Sequence, residues 1–195
     1  MSFKQSIVIK YLLTGFSAIL ILLIPVESLG IILGPYSGNL IDSRTGEPIE
    51  GASVLIYWEK AVPAVIESRS ELINSKLVYT DEKGRYFIPK THANLGLAGL
   101  LERTDVVIYK PGYQTHIVRV WHMSNSSTED FPKLDHTVKL DRIPPNFSHK
   151  RHYERIEESL RGLDHDAYDK STLHREDLLR RAGWEERRGD SEDRK

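Results

Sequence analysis

The chain has 195 residues, 27 Lys and Arg against 28 Asp and Glu, a formal net charge of -1 and no cysteine. So even a balance gives no global field to draw it to nucleic acid or anionic lipid. The lack of cysteine excludes disulfides, thiolate metal sites, thiol nucleophiles and lipid attachment through an N-terminal Cys, so the fold must hold by packing alone.

Residues 1–30 read as a separate object, a signal peptide or an uncleaved membrane anchor. Lys4 and Lys10 precede an apolar helix from Tyr11 to Val26, Pro25 breaks it, and the small residues Ser28 and Gly30 follow. The apolar stretch is short for a span, which needs roughly 20 residues. Either form carries the body out of the cytoplasm, because positive charge stays inside. The expected location is periplasmic or extracellular, or tethered to the membrane by the leader.

Residues 35–144 carry about seven candidate strands. Tyr36 to Ile41 alternates and stops at Asp42-Ser43-Arg44-Thr45-Gly46, a turn with Asx capping and a glycine free to take positive φ. Pro48 and Gly51 punctuate again before Ala52 to Trp58. After an expected insertion from Glu59 to Ser75, Leu77 to Thr80 and Gly84 to Ile88 form a hairpin about Asp81-Glu82-Lys83-Gly84. Pro89 to Thr104 reads as a loop or short helical turn. Asp105 to Tyr109 is continuous and β-branched, hence buried on both faces. Lys110-Pro111-Gly112-Tyr113 turns the chain, with the Tyr113 ring expected in the core and its hydroxyl on a backbone group. Gln114 to Trp121 alternates, Ser124 to Pro132 is polar loop, and His136 to Leu140 closes the sheet. The pattern predicts an all-β, seven-stranded antiparallel sandwich.

The run G-x-L-x-D-x-x-T-G-x-P-I-x-G-A-x-V from Gly38 to Val54, with T-D-x-x-G-x-Y at Thr80 to Tyr86, resembles the carboxypeptidase regulatory-like domain family. That resemblance implies a transthyretin-like, Greek-key sandwich of the kind appended to exported proteins. The domain accompanies peptidases and carries none of their metal ligands.

Residues 145–195 change abruptly to charge. Ser148 caps an expected helix with Tyr153, Ile156, Leu160 and Leu163 on one stripe. A second, capped by Ser171 or Thr172, carries Leu173, Leu178, Leu179 and Ala182 and is expected to stop at Gly183, with disorder from Glu185 onward. The tail reads as solvated helices lying loosely on the sandwich or free. The sharper reading makes it a docking hairpin anchored by Leu179 and Trp184.

The spacing of His149 and His152, with His165 and His174 downstream, permits a zinc site, but chance supplies such spacing in a tail rich in His, Asp and Glu. The sequence has no HExxH, no G-x-S-x-G elbow, no Gly-rich phosphate loop and no Tyr-Arg-Gly-Ser ending of the transthyretin-related hydrolases. Asp42, Asp81 and Glu82 could bind Ca²⁺, but Asx-turns already account for both aspartates. His116 and His122 flank Trp121, and with Trp58 they make a candidate binding surface; Tyr57, Trp58, Tyr109 and Trp121 would stack sugars if exposed. The expectation is an exported, non-catalytic binding or scaffold module without cofactor or metal, whose partner is a protein or glycan of the cell envelope. The alternatives are a carbohydrate-binding module and a metal-dependent hydrolase built on the tail histidines.

Overall fold

The computed structural model describes residues 30–63, 69–96, 99–122, 134–163 and 170–192. The leader, apart from Gly30, and the loop expected at 124–132 lie outside the described residues. Among the described residues no helix is long and apolar enough to cross a membrane.

There are nine described strands where seven are expected. They are β1 (Gly30–Leu33), β2 (Tyr36–Asp42), β3 (Ser53–Val62), β4 (Arg69–Tyr79), β5 (Arg85–Ile88), β6 (Thr91–Asn94), β7 (Leu100–Tyr109), β8 (His116–Trp121) and β9 (His136–Leu140). Two helices follow, α1 (His149–Ser159) and α2 (Lys170–Glu192), with a short 3-10 turn over Arg161–Leu163 between them. The strands form a three-stranded sheet ordered β5-β2-β9, a four-stranded sheet ordered β4-β3-β7-β8, and a β1-β6 ribbon.

Alternation decides what lies between the sheets. Leu40, Val54, Ile56, Trp58, Ile88, Val106, Ile108, Val138 and Leu140 interleave in one core, to which the ribbon adds Leu33 and Ala93. The turn from Asp81 to Gly84 forms, with Gly84 at φ +70° and a Cβ there only 2.4 Å from the Leu40 carbonyl, but it is no hairpin: β4 pairs with β3 and β5 with β2, so the turn carries the chain from one sheet to the other.

The sheets are not purely antiparallel. β9 pairs with β2 in parallel, Gly38 opposite His136 through Asp42 opposite Leu140. A Cβ at Gly38 would sit 2.1 Å from the His136 carbonyl, so this approach needs glycine. The expected insertion after Trp58 is largely strand: β3 continues to Val62 and β4 runs back from Arg69, with bulges on either side of Glu59. Its polar, half-buried residues suit an edge strand, where such side chains are tolerated, and so the stretch lacks an apolar signature. The loop expected at Pro89 to Thr104 likewise holds β6 and the start of β7.

The tail packs on the body. Ile156, Leu160, Leu163, Leu178 and Ala182 bury themselves against Leu55, Tyr57, Val107 and Tyr109 on the outer face of the four-stranded sheet. Ser148 caps α1 as expected, accepting from the Arg151 N–H. α2 does not stop at Gly183 but runs to Glu192. A helical glycine costs only about 1 kcal/mol against Ala, and the neighbouring Leu178 and Ala182 packing offsets that.

Candidate functional site

The two outer faces of the sandwich differ. On the three-stranded sheet the pattern of β5 alternates exposed and buried, so Arg85 and Phe87 point away from the core that holds Tyr86 and Ile88. Asn39 stands opposite Arg85 and Ser37 opposite Phe87 across the β2–β5 pair. Thr137 and Lys139 are exposed on β9 beside them. A cleft of about 340 Å³ opens here, lined by Ser37, Asn39, Asp81, Arg85, Phe87 and Asp135 among others. Among the described residues Phe87 is 60% exposed, a large apolar ring facing solvent.

The polar groups around that ring are held in place. Asp81 Oδ2 receives Arg85 Nε at 2.9 Å and Nη2 at 2.8 Å, while its Oδ1 accepts the N–H groups of Lys83 and Arg85. The Arg85 guanidinium holds the Asp81 carboxyl below its usual range. The Asp135 N–H donates to Ser37 Oγ at 3.0 Å, and Ser37 Oγ donates to Asp135 Oδ1 at 3.4 Å. Asp135 has φ +56°, the left-handed region that Asp enters more readily than most residues.

The second concentration of polar groups is buried under the helical side. Glu59, Arg103, Asp105 and Arg119 form a chain of ion pairs: Arg103 Nη2 to Glu59 at 2.6 Å, Arg103 Nε to Asp105 at 2.7 Å, and Arg119 Nε to Asp105 at 2.7 Å. The Glu59 and Asp105 side chains are 3% and 1% exposed. Burial pushes the Glu59 carboxyl up, and Arg103 opposes it. Burial, reinforced by Asp105, also pushes up the Tyr57 phenol, whose hydroxyl donates to the Ser159 carbonyl at 2.5 Å. Two carboxylates face two guanidinium groups, which makes this a chain of structural ion pairs, with Glu59 Oε1 buried and without a hydrogen-bond partner among the described residues.

A third cluster latches turns. Buried Asp42 accepts from Arg142 Nε at 2.6 Å, the Tyr113 hydroxyl at 3.0 Å, and the N–H groups of Arg44 and Thr45. Arg142 is the main cause holding the Asp42 carboxyl well below the usual range. The Tyr113 hydroxyl thus reaches a side chain where a backbone partner is expected. Asp42 and Asp81 both serve Asx-turns.

The residues singled out from sequence are dispersed. Trp58 is fully buried and stacks near Tyr36 with ring centroids 6.1 Å apart, so it is core and not binding surface. Its place follows from alternation with Val54 and Ile56 on the inner face. Tyr57 and Tyr109 are buried as well, which dissolves the four-ring sugar platform. Trp121 alone of those rings is exposed, at 39%, with the Arg103 guanidinium 5.1 Å over it. His122 Nε2 lies 2.7 Å from the Thr104 hydroxyl, and burial lowers its pKa. His116 is half-buried on β8. Leu179 packs at the margin of the helical cluster, whereas Trp184 is 62% exposed under Arg187. Among tail histidines, His152 Nε2 accepts the Thr115 N–H at 3.0 Å and His174 Nδ1 lies 2.9 Å from Ser75 Oγ; His165 lies outside the described residues. Among the described residues no three His, Asp or Glu side chains converge on one point. Sequence reasoning passed over Phe87, whose one signal was an aromatic on the outward step of an alternating strand.

No protein-family model matches the chain and no curated protein matches it. Among solved structures it is similar to 3-chlorocatechol 1,2-dioxygenase from Rhodococcus opacus 1CP, at 13% identity and TM-score 0.35 over 58% of this chain and 60% of that one. It is similar to a streptococcal ancillary pilin at 15% identity and TM-score 0.29, covering 57% of this chain and 30% of that one. The shaft pilin SpaA from Lactobacillus rhamnosus GG stands alike, at 14% identity, TM-score 0.29, and 57% and 47% coverage. The chain spans less than two thirds of each of these proteins. Its own two facing sheets, and not these likenesses, make it a sandwich.

Proposed function

We propose that the chain is an exported, non-catalytic binding module that presents the open face of its three-stranded sheet to a partner in the cell envelope. The observation that carries this is the asymmetry of the sandwich. Among the described residues, the helices cover one outer sheet face, and the other holds a cleft with an exposed Phe87. An exposed aromatic amid fixed polar groups is the composition of a recognition surface. The apolar leader supports export, with a membrane tether if it stays uncleaved. The turn motifs of the regulatory-like domain favour an accessory role, and the even charge balance speaks against nucleic acid. His152, His174 and His122 each bond to a hydroxyl or amide of the body, which favours a structural role for them over a catalytic one.

Because the chain has no cysteine, single cysteines can be labelled cleanly. A bulky adduct at Thr137→Cys, on the open face, is expected to abolish whatever binding a screen of glycans and peptides reveals. The same adduct at Leu173→Cys on α2 is expected to leave it intact. The opposite pattern would move the site to the helical side, and a screen without any ligand would make the sandwich a spacer.

A further inference from the structure

Resting on that reading, we infer that the ligand of the open face is a glycan, neutral or amino-bearing, with one ring stacked on Phe87. Of the two aromatic residues lining the cleft, Tyr86 is buried and Phe87 presents its ring to solvent. Beside Gly38 and Tyr86, the rest of its lining is planar or hydroxylic: the Asn39 amide, the Asp81 and Asp135 carboxylates, the Arg85 guanidinium and the Ser37 hydroxyl. A pyranose matches that division, with C–H groups on its face for an aromatic ring and hydroxyls around its edge for such groups. The volume of about 340 Å³ is at the small end of the roughly 300–1,000 Å³ usual for small-molecule sites, and suits a sugar ring better than a run of peptide side chains.

Charge narrows the class. Among the described lining residues Asp81 and Asp135 face one cation, Arg85, whose Nε and Nη2 are already committed to Asp81. An acidic sugar would meet repulsion without a free guanidinium fork, whereas an ammonium group would meet carboxylates and the negative face of the Phe87 ring. A peptide adding to the sheet fits less well, because β5 is four residues long and its Arg85 carbonyl is taken by the Asp81 N–H. The groups are preset: the Asp81–Arg85 pair and the Ser37–Asp135 pair hold their geometry without ligand.

The test is a titration of the full chain with cellotetraose, chitotetraose in acetylated and free-amine forms, and tetragalacturonate, read by amide shifts in NMR. A neutral or amino tetrasaccharide is expected to shift Asn39, Arg85 and Phe87. Phe87→Ala is expected to weaken binding about tenfold and Phe87→Trp to retain it, since the ring contributes by stacking. An unchanged melting temperature in Phe87→Ala keeps the loss from being misread as unfolding. Equal affinity in Phe87→Ala, a preference for tetragalacturonate, or no glycan shift at these amides overturns the inference. Shifts there from a peptide library alone would replace the glycan while leaving the open face as the binding face. Silence from both classes would bring down both readings.

Discussion

The two outer faces of this sandwich solve one problem in opposite ways. β3 and β7 are apolar on both sides, so their outward Leu55, Tyr57, Val107 and Tyr109 need a cover, and α1 and α2 supply it. β2, β5 and β9 alternate cleanly, so their outward residues are polar apart from Ile41 and Phe87, and they need none. A sheet buried on both faces is a structural element. A sheet with one wet face is where specificity can be placed without cost to the core.

The sharpest way to break the comparison is to remove the cover. Deleting residues from Asn146 onward exposes the four outward side chains of β3 and β7, each worth about 1.5–3 kcal/mol when buried. The expected loss is on the order of 6 kcal/mol or more, enough to unfold or aggregate the body, and calorimetry would measure it. A truncated chain that melts within a few degrees of the full one would show that the helices merely rest on the sheet.

Asp105→Ala attacks the same side from within. It leaves Arg103 and Arg119 without the buried carboxylate that pairs both, a loss of about 3–5 kcal/mol in urea unfolding. Leu178→Ala opens a void under α2 and is expected to cost about 2–5 kcal/mol, while Phe87→Ala on the open face is expected to cost under about 0.5 kcal/mol. That pair of numbers states the difference between the faces. Equal losses would mean that Phe87 packs against something and is no free ligand surface.

Local chemistry made the turns legible. The Asp42 and Asp81 carboxylates accept N–H groups from within four residues of themselves, and β5 and β9 begin and end close to where alternation puts them. The helical cover was half legible. The stripe of Tyr153, Ile156, Leu160 and Leu163 could be seen, and so could a doubly apolar strand from Asp105 to Tyr109, but that the one needs the other is a tertiary inference. Trp58 misled because a large ring draws the eye to binding, while its register with Val54 and Ile56 put it inward. The cleft was hidden for a different reason. Ser37 meets Asp135 across 98 positions, through a parallel pairing of β2 and β9 that no short window of sequence announces.

The smallest effect expected concerns acid. The Tyr79 hydroxyl donates to Asp177 Oδ2 at 2.5 Å, and Arg180 and Arg181 bond the same carboxylate, tying α2 to β4. The Tyr79 hydrogen bond, then the arginines, hold the Asp177 carboxyl below its ordinary 3.8. A depressed folded-state value means the unfolded chain takes up the proton first. The stabilisation is therefore complete above about pH 3.8 and drains away as pH falls toward the folded value. Buried Glu59 runs the other way: its raised value contributes stability below its ordinary 4.5 that is lost as pH climbs through the folded value. Melting curves across this range should therefore separate the two in single variants. Asp177→Asn is expected to lose a fraction of a kcal/mol near neutral pH, as part-exposed pairs do, and to converge with the parent chain in acid. A gap that persists unchanged below pH 3.8 would assign the loss to packing of α2, not to the charge on its carboxylate.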